Sequence, residues 1–338
     1  MNYFIIMKLL KQTNIGKFGV RPANYSGITH ISGNRYAVVD DKELIDGFMF
    51  LDIDINHKTG KIENVTYSEP TGFIERKNSI SNPQSVYRDC EGCAYCTDTN
   101  TIFISGEEDQ RIAEYDLNGI STDRELQVPQ YMQSHGIEDN YGFEALTYNH
   151  IQKLFWTTTE ATLLKDGARS NLQNKNVQNR LRLQSFGLDL KPAKMFAYKM
   201  DAPATRKNKG NHVHGVPSMI ALDDGSLIIM EREAFIPRFY FGSFCRVKLY
   251  IVHPEQHQEI NENTNLSTIP EHIFLKKRLL CDFTTRISHV WNFANYEGMC
   301  LGPKLDDGRQ TLLLISDSQG GHGNAVYRLK DYFKVIVL

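Results

Sequence analysis

A hairpin that recurs five times constrains this chain more than any other feature. Residues 142–160, GFEALTYNHIQKLFWTTTE, show its plan. Glu144-Ala145 opens an apolar run, a polar turn follows, and the strand-like run Leu154–Thr159 ends at a second acid, Glu160. The same plan is found at Ser26-Gly27 with Asp40-Asp41, at Glu91-Gly92 with Glu107-Glu108, at Pro217-Ser218 with Glu231 and Glu233, and at Glu297-Gly298 with Asp317. Asp-Gly and Gly-Asn dipeptides punctuate the runs, as tight hairpins require. Each pair is followed by a third strand-like run and usually a fourth: GFMFLDIDI and NVTYSEP in the first unit, NAVYRLKDY and FKVIVL in the last. Four antiparallel strands per unit, repeated along a chain, is the sequence form of a β-propeller. The expected fold is therefore all-β, a β-propeller of four-stranded antiparallel blades with five clear repeat units. The long stretches 161–200 and 233–290 leave room for a sixth blade. A pair of β-sandwiches is the rival architecture, but it does not call for five similar hairpins.

The polar stretches 170–180, 201–215 and 254–268 separate no second core, so residues 1–338 are read as one domain. Met7–Thr13 is expected to pair with the C-terminal strands and close the ring. The run YFIIMKLL at residues 3–10 is too short for a membrane span of roughly 20 apolar residues. It lacks the basic start and cleavage site of a leader, and is read as part of the fold. Helical periodicity is nearly absent, and residues 170–183 are the candidate for a short helix. With 38 basic and 40 acidic residues, the chain has no strong global field favouring nucleic acid or an anionic membrane. Cys90, Cys93 and Cys96 have a metal-like spacing, but Cys93 and Cys96 would face opposite sides of a strand. Packing is the better role for them. His212 and His214 would share a strand face, which is a weak metal signal.

Blade geometry says where the acids go. The innermost strand starts at one end of the central channel, and the second strand returns to that end, about 4.8 Å away. Glu91, Glu144 and Glu297 should therefore share one channel mouth with Asp40, Asp41, Glu107, Glu108, Glu160, Glu231, Glu233 and Asp317. Crowded carboxylates repel unless protonated or neutralised. A hard cation accepting six to eight oxygens, Ca²⁺, answers that need. Lys42, Arg111, Arg232 and His322 follow the acids in their units and are candidates to bind an anionic ester. The bland alternative is that these acids cap turns and pair with neighbouring basic residues. No nucleophile elbow or phosphate-binding loop is found.

The segments SGITHISGNRYAVVDD, EGCAYCTDTNTIFISGEEDQRIAEYDLNG, GFEALTYN with LFWTTTEA, SMIALDDGSLIIMERE and NYEGMCLGP with LLLISDSQGG together resemble the phytase-like family, the "esterase-like activity of phytase" domain. The resemblance spans roughly residues 20–335. It implies a β-propeller, an exported (extracytoplasmic) bacterial protein, and hydrolysis of phosphate or other esters with calcium. Residue by residue it points to Glu91, Glu107, Glu144, Glu160, Glu231, Glu233, Glu297 and Asp317. Copies one and four depart from the pattern, having Ser26 and Pro217 where the others have glutamate. The expectation is a metal-dependent ester hydrolase with Glu91, Glu144 and Glu297 as catalytic carboxylates. The alternative is a non-catalytic ligand- or partner-binding propeller with a structural calcium.

Overall fold

The computed structural model describes residues 7–82, 87–133, 136–137, 141–289, 291–323 and 328–338. Two short N-terminal strands, β1 (Lys8–Leu9) and β2 (Thr13–Asn14), come first. Blade one is β3 (Tyr25–Ser32), β4 (Arg35–Asp40), β5 (Met49–Ile55) and β6 (Ile62–Ser68). The helix α1 (Thr71–Ser79) follows, in a segment to which the hairpin pattern assigns nothing. Blade two is β7 (Cys90–Cys96), β8 (Thr101–Gly106), β9 (Ile112–Asp116) and β10 (Ser121–Glu125). Blade three is β11 (Phe143–Asn149), β12 (Leu154–Thr159), β13 (Arg180–Phe186) and β14 (Pro192–Lys199). Blade four is β15 (Asn211–Ala221), β16 (Leu227–Ile236), β17 (Phe244–Val252) and β18 (Lys277–Arg286). Blade five begins with β19 (Asn295–Lys304) and β20 (Gln310–Asp317), and continues with β21 (Tyr332–Val337).

Every blade is antiparallel in consecutive order. In blade five the outer edge comes from the other end of the chain: Lys8 pairs with Val337 and Thr13 with Phe333. The inner strands β3, β7, β11, β15 and β19 touch in sequence, and β19 returns to β3. The ring therefore has five blades. The stretches with room for a sixth hold the outer strands and loops of blades three and four.

Two local expectations change. Residues 170–179 are not helical; Asn171 accepts hydrogen bonds from the peptides of Gln173 and Asn174, and Asn179 from that of Ser170. These side chains compete with helical bonding, and Arg180–Phe186 then enters the sheet. In the last unit, Tyr332–Val337 is the third strand rather than the fourth, so the run NAVYRLKDY is not a strand as a whole. Its residues 324–327 lie outside the described residues, as do residues 3–6 of the N-terminal run.

The core lies between blades, built from the apolar residues that alternate along each strand. Val38, Leu51, Ile53 and Val65 of blade one pack with Leu313, Ile315 and Val335 of blade five. Cys90 and Cys93 sit with Ile102 and Ile104 in one cluster and Cys96 with Phe103 in another, so the cysteines serve packing.

At the axis the blades meet backbone to backbone. A Cβ on Gly27 would lie 2.3 Å from the Glu91 carbonyl oxygen, one on Gly92 2.1 Å from that of Glu144, and one on Gly298 2.4 Å from that of Ser26. These glycines follow three of the five inner-strand heads, and no side chain fits where they sit.

Candidate functional site: the acidic channel mouth

A β-bulge aims each head residue. Register slips by one residue between Tyr25 and Ile28, Cys90 and Cys93, Phe143 and Ala145, Gly215 and Ser218, and Tyr296 and Gly298. The same irregularity therefore occurs at the same place in all five blades. Bulges are over-represented beside active sites because they re-aim a side chain. Glu91, Glu144 and Glu297 lie inside their strands at these bulges, not ahead of them, and enter one buried cluster at the channel mouth.

The carboxyl of Glu91 accepts a hydrogen bond from Ser26 Oγ, so the residue that replaces glutamate in blade one serves the glutamate of blade two. Burial, followed by the charges of Glu144, Asp41 and Glu297, pushes the Glu91 carboxyl well above the usual range. Burial also raises Glu144, helped by Glu160 and opposed by Arg232. Asp317 is raised by burial and then by Glu297. Glu107 is pushed up to about 7 by burial, although the Gly142 peptide donates to it at 3.1 Å. Asp41 is pushed up to about 8, first by burial and then by Glu297.

Arg232 is the counterweight. Its guanidinium, 3% exposed, bonds Glu160 Oε1 at 2.8 Å and Glu297 Oε1, and lies 3.7 Å from Glu144 Oε2. Asn295 Nδ2 also donates to Glu297, at 2.7 Å. Lys42 stands at the rim, with its Nζ 3.0 Å from Asp89 and 3.4 Å from Asp41. The acids outnumber these cations.

One oxygen each from Asp41, Asp89 and Glu91 can lie within 4.8 Å of the others. Asp41 Oδ1 and Glu144 Oε2 are buried with no hydrogen-bond partner. A three-carboxylate set in which one oxygen, Asp41 Oδ1, is unsatisfied fits a hard cation. Asp89 is the member that reading by strand repeats misses. It precedes β7 in a left-handed backbone conformation (φ 53°), among the residues that the mouth rule covers.

Four candidates are not drawn into the cluster. On β16, Glu231 and Glu233 point to the sheet face opposite Arg232, as strand alternation requires. Glu231 binds Tyr198 and Lys277 between blades three and four. Glu233 accepts from the peptides of Ala204 and Thr205, at 2.6 and 2.8 Å, and meets His212 at 3.3 Å. Arg111 pairs with Glu125 on the blade's outer strand, both exposed. His322 is exposed, and among the described residues no contact joins its ring to the mouth acids. His214 is occupied by Ser170 Oγ at 2.7 Å.

Fold and site together define a five-bladed β-propeller with a buried acidic channel mouth. A family model described as "Phytase-like: Esterase-like activity of phytase" matches residues 22–319, and the chain belongs to that family. No curated protein sequence matches the chain. Among solved structures, a DUF4221 member from Bacteroides vulgatus aligns with 8% identity and TM-score 0.39, covering 98% of each chain. The periplasmic gluconolactonase PpgL of Pseudomonas aeruginosa aligns with 12% identity and TM-score 0.34, over 88% of this chain and 67% of its own. CoXyl43, a β-xylosidase/α-arabinofuranosidase from a compost metagenome, aligns with 8% identity and TM-score 0.44, over 97% and 95%. Among the described residues no helix is long and apolar enough to cross a membrane.

Proposed function

We propose that this protein is an extracytoplasmic hydrolase of phosphate or other small anionic esters, working with a divalent cation, Ca²⁺, at the acidic mouth. The observation that carries the reading is the Asp41–Asp89–Glu91 set beside buried oxygens of Asp41 and Glu144 that accept no hydrogen bond. Leaving a buried acceptor unsatisfied costs about 1–3 kcal/mol, more for a charged group. Asp41, Asp89 and Glu91 would hold the ion, with Glu107 and Asp317 nearby. Bound there, the ion supplies Lewis-acid polarisation of an ester oxygen.

The chain's own residues do the rest. Lys42, with its side chain 55% exposed, can meet the anionic group of a substrate at the rim. Burial raises the Glu144 carboxyl and one of its oxygens accepts no hydrogen bond, so it is the group placed to give a proton to a departing alkoxide. Arg232 is a positioning residue that fixes Glu144, Glu160 and Glu297.

The engagement of Arg232 by three glutamates also favours a second reading. The innermost cation is not free to take a substrate anion. A ligand- or partner-binding propeller with a structural calcium would share this mouth. The deciding experiment assays phytate, p-nitrophenyl phosphate and short p-nitrophenyl esters after chelation and after Ca²⁺ is restored. The hydrolase reading expects turnover that chelator removes and Ca²⁺ restores. It also expects Glu144→Gln to lose turnover while keeping the Ca²⁺-dependent melting shift. Stabilisation without turnover selects the second reading. Neither turnover nor stabilisation rejects the cation site.

A further inference from the structure

Blade four is taller than the others. Beyond the Gly215–Arg232 pair at the mouth, β15 and β16 continue through four more pairs, from His214–Glu233 to Asn211–Ile236. At about 3.4 Å per residue they rise about 14 Å above the mouth. The loop at the tip carries Phe239, Tyr240 and Phe241, exposed by 81%, 45% and 62%. Three adjacent aromatic side chains in water are costly, and exposed apolar patches of this kind mark contact surfaces.

A groove of about 580 Å³ runs below this tip, between the sheet and residues 204–207. Its walls include Phe235 and Phe244 and the cations Arg206, Lys207, Arg246 and Arg286. Asp282 neutralises Arg246 in a two-point pair. Arg206, Lys207 and Arg286 make no ion pair among the described residues, so the groove keeps an excess of positive charge. Arg238 adds another cation within the tip loop.

We propose that this extension is a peripheral membrane anchor that seats on an anionic lipid surface. Phe239, Tyr240 and Phe241 enter the boundary between headgroups and acyl chains, where amphipathic aromatic rings concentrate. Arg206, Lys207 and Arg286 meet the headgroup phosphates. The occupant is chosen by charge complementarity: unpaired cations beside exposed aromatics match an anionic bilayer surface, which supplies both partners at once.

Trp291 reports on the event. It forms a β-bridge with Ile287, whose carbonyl accepts from the Gly242 peptide in the tip loop at 2.7 Å. The only other tryptophan, Trp156, is buried. The test is co-sedimentation and tryptophan emission with vesicles of phosphatidylcholine, alone or doped with phosphatidylglycerol. Expected are binding to the anionic vesicles only, a blue shift, and loss of both with added salt. Each Lys or Arg near an anionic surface contributes about 1 kcal/mol, or about fivefold in affinity. Lys207→Gln with Arg286→Gln should therefore weaken binding about 25-fold. Phe239→Ser with Phe241→Ser should abolish the blue shift, at an unchanged melting temperature because both side chains are exposed. Failure to bind anionic vesicles at low salt overturns the proposal, as does binding that neither pair of substitutions reduces. A dimer that Phe239→Ser dissolves, without vesicle binding, would assign the tip to a second copy of the chain and also overturn it. Should Arg286→Gln disturb folding, Lys207→Gln alone should still weaken binding about fivefold.

Discussion

Replacing Arg232 with methionine would remove the positive charge that buried Glu160 and half-buried Glu144 and Glu297 share, and keep much of the side-chain volume. In the native protein Arg232 contacts Glu160, Glu297 and Glu144, and its side chain is 3% exposed. Breaking a buried ion pair by removing one partner costs about 3–5 kcal/mol, because a charge is left uncompensated. One kcal/mol moves the melting temperature of a 150–250-residue domain by about 2–4 °C, and somewhat less for a longer chain. Arg232→Met should therefore melt on the order of 5–15 °C below the parent near pH 7.5. The pH dependence makes the test specific. Burial already raises Glu144 and Glu160, and Arg232 is what holds them down. Without it both carboxyls take up protons more readily, so the deficit should shrink by half or more near pH 5. Thermal melts by circular dichroism at the two pH values measure both quantities. An unchanged melting temperature, or a deficit equal at both pH values, would refute the account of Arg232 as counter-charge.

The parent protein should itself lose stability as pH rises. Asp41 and Glu107 have folded-state values raised to about 8 and about 7, so the folded state holds protons that the unfolded chain has released. Their contribution is present below about pH 4 and is lost as pH climbs through 7 to 8. Chelated protein should melt progressively lower from pH 5 to 8.5, and Ca²⁺ should reverse the loss at the alkaline end; a flat profile would contradict the raised carboxyls. Gly92→Ala places a methyl 2.1 Å from a carbonyl of the next blade and should cost at least the ~1–3 kcal/mol of an overpacked core. Ala at the exposed Gly16 is the control for loss of a glycine, since its φ is not positive and a Cβ there meets only the Asn14 side chain, at 3.3 Å. Equal losses in the two variants, read from denaturant melts, would deny the axial contact.

The propeller was legible because strand alternation and hairpin turns are local properties, and the chain states them five times. Ring geometry then placed Glu91, Glu144, Glu160 and Glu297 together without any further information. Other features depend on register, which a sequence states poorly. A bulge moves one residue to the other face of a strand, so the heads lie within strands rather than ahead of them. The extra pairs in blade four carry Glu233 above the mouth, and alternation turns Glu231 and Glu233 away from Arg232. Arg111 was misplaced because Glu125, from a different strand, offers it a partner at the outer rim. Residues 170–179 held apolar spacing too sparse to distinguish a helix from a loop pinned by Asn171 and Asn179.

The glycines at the hub bear on how the site can move. With Gly27 against Glu91, Gly92 against Glu144 and Gly298 against Ser26, main chain rests on main chain around much of the circumference. Side chains can swing, but peptide planes in contact cannot be compressed. An ion pulling on Glu91 would therefore tug the neighbouring segments with it, like one stave in a hooped cask. Carboxylates more than 200 residues apart in the chain thus stand on a single stiff rim, and they should tighten or loosen in concert.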